Sequence, residues 1–162
     1  MAVIMVDWME DRTTVERSQT SERITSLRMK ALLENVPRVI ECVSQWAQVA
    51  GFDEGALYEI QLAVDEACAN VVDHAYEGLD AGDIEVACCL EDRCLTIRVR
   101  DWGKGFDLAS VDEPDLDAPL EERHLGGLGL FLVKKMMDSV EFTSDPELGN
   151  ELTMCKKLRV AR

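Results

Sequence analysis

Residues 62–76 read LAVDEACANVVDHAY, and this stretch decides the fold that we predict for the whole chain. A turn of about 100° per residue collects its apolar side chains into one stripe, the pattern of an amphipathic helix packed against a core. The stripe, which extends back to residue 57, consists of Leu57, Ile60, Val64, Ala67, Cys68, Val71 and Ala75. We therefore expect a central helix that buries one face.

A polar row follows the same predicted helix. Glu66, Asn70 and His74 succeed one another at intervals of four residues, so they lie along one side of it. A glutamate takes a proton from a hydroxyl or water, and a neutral asparagine oxygen suits a magnesium ion that already neutralises phosphate. A solvated helix face has the same pattern, so the row alone leaves both interpretations open.

Length and charge narrow the class of protein. The chain has 162 residues, of which 47% are hydrophobic, and a formal net charge of -15. This length fits one domain with a substantial core. The acidic balance argues against a nucleic-acid partner, because such binding uses lysine and arginine to neutralise phosphates. The negative charge is suited to binding a basic protein surface, but a role in solubility alone explains it equally well.

The cysteines and the N-terminus indicate a reducing compartment. Six cysteines lie in apolar periodic segments without disulfide-framework spacing, which predicts that all are reduced core residues. They are Cys42, Cys68, Cys88, Cys89, Cys94 and Cys155. The apolar run at residues 3–6 ends at Asp7 and follows no basic residue, so we expect neither a signal peptide nor a membrane span. The expected location is the cytoplasm.

The first half of the chain is predicted to be mainly helical. Residues 1–21 show no helical or strand period and are expected to form an N-terminal arm, followed by one domain at residues 22–160. Within that domain we expect a short edge strand at 24–29 and an amphipathic helix at 34–49. Asp53 is the predicted N-cap of the central helix.

The second half is predicted to be mainly strands. Alternating apolar residues predict strands at 84–90, 95–99, 140–143 and 152–158, with one helix at 129–137. Helices clustered early and strands late indicate an α+β fold, a two-layer α/β sandwich in which helices cover one face of a mixed sheet.

The strand at 95–99 runs directly into D-W-G-K-G at residues 101–105. Strand alternation places Asp101 on the inward face, where a carboxylate needs a hydrogen-bond donor. The exocyclic amine of adenine is one such donor, and Gly103 and Gly105 would let a flat ring approach the backbone. A β-turn that ends the strand explains the motif equally well.

A second glycine motif follows an aperiodic acidic loop at residues 107–124. Long loops in compact domains are often functional lids. Gly126, Gly127 and Gly129 then open the helix predicted at 129–137, and exposed amides at a helix N-terminus suit phosphate oxygens. The same glycines suit a hinge, and a lid that closes over a triphosphate needs both properties.

The order E-x-x-x-N, D-x-G-x-G, variable loop and G-G-L-G-L resembles the GHKL ATPase superfamily, which includes gyrase, MutL and histidine kinases. Within it, the segments DEACANVVDHAY and GGLGLFLVKKMMD and the small size resemble the anti-sigma factor serine kinases. The resemblance spans residues 24–158. It implies an ATP-binding sandwich fold that uses ATP and Mg²⁺.

The resemblance also implies roles for single residues. Glu66 would be the general base, Asn70 the magnesium ligand and Asp101 the acceptor of the adenine amine. The implied ATP-binding residues are Asn70, Asp101, Gly103, Gly105, Gly126, Gly127, Leu128, Gly129, Leu130 and Thr153.

The final motif departs from the family pattern. Glycine followed by threonines is usual there, whereas this chain reads GNELT at residues 149–153. Either Thr153 supplies the adenine-side hydroxyl, or Asn150 substitutes for it, or the segment is an ordinary hairpin.

The function implied by the resemblance is an ATP- and magnesium-dependent protein serine kinase of the partner-switching type. Such a kinase phosphorylates a STAS-domain anti-anti-sigma protein and sequesters an RNA polymerase sigma factor. A homodimer is expected, with no nucleic acid and no membrane. The alternative is a nucleotide-binding module that sequesters a partner without phosphoryl transfer; a stand-alone ATPase and a histidine kinase fragment are further alternatives.

Overall fold

A computed structural model of the chain describes residues 14–17, 24–105 and 128–159. The strands are β1 Thr14–Arg17, β2 Ile24–Lys30, β3 Asp83–Glu91, β4 Cys94–Asp101, β5 Ser139–Asp145 and β6 Gly149–Lys157. The helices are α1 Val36–Ala50, α2 Glu54–Asn70 and α3 Leu128–Met136, with a 3₁₀ turn at Leu33–Asn35 and a π-helical segment at Val71–Ala75. In these ranges no helix is long and apolar enough to cross a membrane.

The strands form one sheet whose order, over the described residues, is β1-β2-β3-β4-β6-β5. The α+β class with helices on one face is confirmed, but each described pairing is antiparallel, so the sheet is not mixed. The helix pair α1 and α2 returns the chain to the end where β2 finished, which makes β3 antiparallel to β2. Strands β4 and β5 do run parallel, but β6 lies between them and pairs with both.

The central helix is confirmed. Asp53 caps α2 by accepting the N–H of Ala56 on Oδ1 at 2.8 Å. The predicted stripe faces the sheet: its members from Ile60 onwards are buried, and Leu57 packs against the core. The α-helix ends at Asn70, earlier than predicted, because the next turn widens into the π-helical segment. The other wall of this core is the inward face of the sheet, above all Leu95, Ile97 and Val99 of β4.

Two predicted regions lie wholly or partly outside the described residues. The acidic loop at 107–124 is outside them, as is most of the arm at 1–21. The four arm residues that are described form β1, which pairs with β2 although the sequence there shows no strand period. The domain boundary near residue 22 stays a prediction.

The prediction that all six cysteines are reduced is also wrong. Cys94 on β4 and Cys155 on β6 are joined by a disulfide, with their Cα atoms 6.1 Å apart. The other four cysteines are not joined in disulfides. The period within each strand could not reveal the pair, because the contact depends on the register between β4 and β6.

Candidate active site

The end of α2 carries the first two candidate residues. Glu66 and Asn70 are half-buried, while Ala67 and Cys68 between them are buried in the core. This division is what the sequence predicts for a polar row beside an apolar stripe. The side chains of Glu66 and Asn70 therefore stay available at the edge of the core.

Gly129, in the first turn of α3, brings the second glycine motif to these residues. A Cβ atom at this position would lie 2.6 Å from Oε2 of Glu66 and 3.6 Å from both polar side-chain atoms of Asn70. The α3 backbone thus lies directly on the carboxylate, which a larger residue would prevent without rearrangement. The structure brings together three residues that are up to 63 positions apart, since 129 − 66 = 63.

The protonation of Glu66 reflects this packing. Burial raises the pKa of its carboxyl above the ordinary value, and the neighbouring carboxylate of Asp65 raises it further. Desolvation disfavours the charged form of an acid, and a nearby like charge does the same. A carboxylate whose affinity for protons is increased in this way is better suited to act as a general base.

Asp101 lies at the end of β4 on the inward face, as predicted, and is buried. Its Oδ1 accepts the N–H of Gly103 at 2.9 Å and the side-chain amide of Asn150 at 2.8 Å. No group in the described ranges donates to Oδ2. The buried carboxylate therefore keeps one oxygen for a further donor.

The loop after Asp101 is anchored on the π-helical segment that follows α2. The backbone N–H of Lys104 donates to the carbonyl of Ala75 at 2.7 Å. A Cβ atom on Gly103 would lie 2.1 Å from the same carbonyl oxygen, so only glycine permits this approach. The π-helical turn, a feature frequent at functional sites, thus connects α2 to the Asp101 loop.

Thr153 does not reach this site. It pairs with Arg98 across β4 and β6, and both side chains lie on the outer face of the sheet, opposite to Asp101. The Thr153 hydroxyl instead donates to Glu151 at 3.5 Å. Asn150, which pairs with Asp101, occupies the inward position. The prediction that Thr153 lies in this site is therefore corrected: Asn150 is the residue of this segment that lies beside Asp101.

The sequence contained the signal for this correction. Asn150, Leu152 and Met154 alternate along β6, and the two apolar members mark the inward face. Strand period then places residue 150 inward and residue 153 outward.

The histidine kinase-like ATPase domain family matches residues 29–156. This chain belongs to that family. Serine-protein kinase RsbW from Halalkalibacterium halodurans is 37% identical over 121 residues, 72% of each chain. The Bacillus cereus RsbW is 32% identical over 130 residues, 76% of this chain and 81% of the relative. The Listeria monocytogenes RsbW is 37% identical over 103 residues, and the match spans 61% of this chain and 66% of that protein.

A solved structure shares the fold of this histidine kinase-like ATPase domain. The crystal structure of the RsbU and RsbW domains of a Mycobacterium tuberculosis protein aligns with a TM-score of 0.60. At 21% identity it covers 85% of this chain and 34% of that chain. The alignment confirms the predicted two-layer α/β sandwich fold.

The remaining candidate residues of the ATPase domain differ in exposure, and two of them are not described by the structure. Gly126 and Gly127 lie outside the described residues. Leu128 is exposed at the start of α3, whereas the Leu130 side chain is buried, so only its backbone amide is suited to a ligand contact. Gly105 is exposed, and a Cβ atom there would lie 3.1 Å from the Ser144 hydroxyl.

Sequence analysis missed two hydroxyl groups that hold the Asp101 loop in this ATPase domain. The Tyr76 hydroxyl accepts the N–H of Trp102 at 3.0 Å and donates to the carbonyl of Asp83 at 2.7 Å. The Ser144 hydroxyl donates to Asn150 at 2.7 Å. Neither role leaves a periodic signal, because each depends on contacts between distant elements.

Proposed function

We propose that this domain is a protein serine kinase that transfers the terminal phosphoryl group of ATP to a serine of a STAS-domain protein. The observation that carries the proposal is the contact of Gly129 with Glu66 and Asn70. It places a helix N-terminus, a carboxylate and a neutral amide at one point. Phosphoryl transfer needs mainly positioning and charge neutralisation, and these three groups supply them.

The site has one group suited to the adenine end of ATP and another suited to its phosphate end. The free Oδ2 of Asp101 accepts the exocyclic amine of adenine, and the N-terminal amides of α3 bind phosphate oxygens. We assign Gly126, Gly127 and Gly129 to the hinge of a lid over the triphosphate, with the amides of Leu128 and Leu130 at its helical end.

Asn70 fits a magnesium ligand. It is half-buried beside Gly129, and no hydrogen bond from the described residues engages its side chain. No cluster of acidic, histidine or cysteine side chains able to hold a metal occurs in the described ranges. A neutral ligand of this kind suits a magnesium ion whose charge the triphosphate balances. Bound there, the ion would neutralise charge on the phosphates.

Glu66 is the proposed general base. The serine oxygen of the partner bonds to the γ-phosphorus of ATP while the bond to the bridging oxygen of ADP breaks, and Glu66 accepts the serine proton. Its raised pKa favours that step. The same proposal includes the STAS-domain partner, the sequestered sigma factor, the homodimer and the cytoplasmic location. The RsbW relatives, named as serine-protein kinases, support its phosphoryl transfer to serine.

The test is transfer of labelled phosphate from ATP to a STAS-domain protein. Glu66→Gln keeps the side-chain shape and removes the base, so transfer should fall by about 100-fold or more while ATP binding is retained. Asp65→Asn is the matched control, because it removes the same charge from the neighbouring exposed residue. Undiminished transfer by Glu66→Gln would exclude Glu66 as the base.

The same assay separates the alternative function. A module that only sequesters would capture its partner in the presence of nucleotide, yet transfer no phosphate to it in the unmodified protein. Phosphate on histidine instead of serine, recognised by its acid lability, would point to histidine kinase chemistry.

A further inference from the structure

Asn150 is a buried amide that bonds to three elements at once. Its residue surface is 4% exposed. The side-chain nitrogen donates to Oδ1 of Asp101 at 2.8 Å and to the carbonyls of Lys104 at 3.2 Å and Gly103 at 3.4 Å. The side-chain oxygen accepts the Ser144 hydroxyl at 2.7 Å. Asn150 therefore ties β6 to β4, to the Asp101 loop and to β5.

These partners leave the amide one orientation. A flip would turn the Asn150 oxygen toward a carboxylate and two carbonyls, which are all acceptors, and would leave each contact repulsive. With the nitrogen in place, Oδ1 of Asp101 receives two hydrogen bonds, from Gly103 and Asn150. The carboxylate cannot rotate without losing both, so Oδ2 is held in position, and no group in the described ranges donates to it.

We propose that Asn150 is a positioning residue that sets the nucleobase preference of the site by keeping Asp101 an acceptor. A base with an amine at this position donates to Oδ2. A base with a carbonyl oxygen there places two acceptors against each other, because Asn150 already occupies the other carboxylate oxygen. This inference rests on the proposed ATP site and adds the residue that makes it selective.

ATP and ITP form the probe pair. They share ribose and triphosphate, so the contacts of those groups cancel. They differ at carbon 6 of the base, which carries an amine in ATP and an oxygen in ITP, and at N1, which is an acceptor in ATP and an N–H donor in ITP. An unsatisfied buried acceptor costs enough that the unmodified protein should bind ATP at least about tenfold more tightly than ITP. Calorimetry at matched magnesium concentration measures the ratio.

Asn150→Asp replaces the amide that donates to Asp101 with a carboxyl of nearly the same shape. Two carboxyls at hydrogen-bond distance raise each other's affinity for protons. One proton bridges them at Oδ1 of Asp101, and a second proton, bound to Oδ2 at lower pH, donates to the carbonyl oxygen of ITP. The preference for ATP should therefore shrink about tenfold at acidic pH, and ITP binding should weaken as rising pH removes the second proton. Tyr76, whose pKa is raised mainly by burial, is a titratable side chain that interacts with Asp101, and it is left unchanged in each variant.

Two further substitutions keep the test decisive. Asn150→Thr retains a donor for Asp101 and should preserve the ATP preference, whereas Asn150→Ala removes the donor and should narrow it. Thr153→Asp is the matched control, because it adds the same charge to the same strand on the outer face. Thermal unfolding identifies any variant that does not fold, and the Thr and Ala variants decide if the Asp variant fails.

The outcomes are distinct. A narrowed preference for ATP over ITP in each of the Asp and Ala variants that folds, with the Thr variant and the Thr153 control unchanged, supports the inference. A folded Asp or Ala variant with the original ATP to ITP ratio overturns it and leaves the ATP site standing. An unmodified protein that binds neither nucleotide overturns the proposed function itself.

Discussion

Each end of the antiparallel helix pair α2 and α3 holds one glutamate of α2, Glu66 at one end and Glu59 at the other. The two glutamates differ in the groups that they meet. At one end the α3 backbone at Gly129 lies on Glu66. Seven residues away on each helix, Glu59 and the carbonyl of Met136 meet the ammonium of Lys156. Glu59 has a buried cation as partner, whereas no cation of the described residues pairs with Glu66.

The difference shows how one helix pair separates stability from chemistry. Lys156 is 4% exposed and reaches both helices from β6, so its charge is neutralised by Glu59 and by the negative end of α3. Glu66 has no such cation among the described residues, and burial and the nearby charge of Asp65 raise its pKa. The end with Glu59 and Lys156 holds the two helices together, and the end with Glu66 keeps a reactive carboxylate.

The sharpest test applies one substitution to both ends. Glu59→Gln leaves the Lys156 ammonium buried with a neutral partner, and the free energy of unfolding should fall by about 2 kcal/mol. Glu66→Gln removes a charge that has no described partner, so the change should stay within about 0.5 kcal/mol. Urea unfolding measures both. Equal losses of unfolding free energy at the two positions would contradict the conclusion that one end of the helix pair provides stability and the other provides chemistry.

Gly129→Ala tests the reactive end in the opposite direction. The added Cβ must displace Oε2 of Glu66, so phosphate transfer should fall about tenfold. Alanine is the better helix former, so stability should not fall. Gly55→Ala is the control, because it makes the same change in the first turn of α2 with an ordinary 3.4 Å contact to Asp53. Full activity of the Gly129 variant would show that the close approach is dispensable.

The smallest expected effect is on the pH dependence of transfer. The base is lost as pH falls through the pKa of Glu66, which lies above the ordinary 4.5, so activity should decline earlier on the acid side than for an unperturbed carboxyl. Asp65→Asn removes the second cause of the shift and should move this decline slightly to lower pH. The measurement is kcat against pH, with a partner that does not titrate in that range. An unmoved profile would leave burial as the sole cause.

The sequence by itself determined the elements and the chemistry within each of them. The helical period of α2, its Asp53 cap, the alternation of β3 and β4 and the inward position of Asp101 follow from neighbouring residues. Glu66 and Asn70 were identified for the same reason, because their spacing and side-chain types are local properties. The α+β class followed from the order of these elements.

Tertiary structure alone decided which elements meet. The insertion of β6 between β4 and β5 made the described sheet antiparallel, and its register brought Asn150 to Asp101 and turned Thr153 away. The same register joined Cys94 to Cys155. The physical reason is that strand order and register are set by pairings between residues distant in the chain, which the period of one segment does not encode.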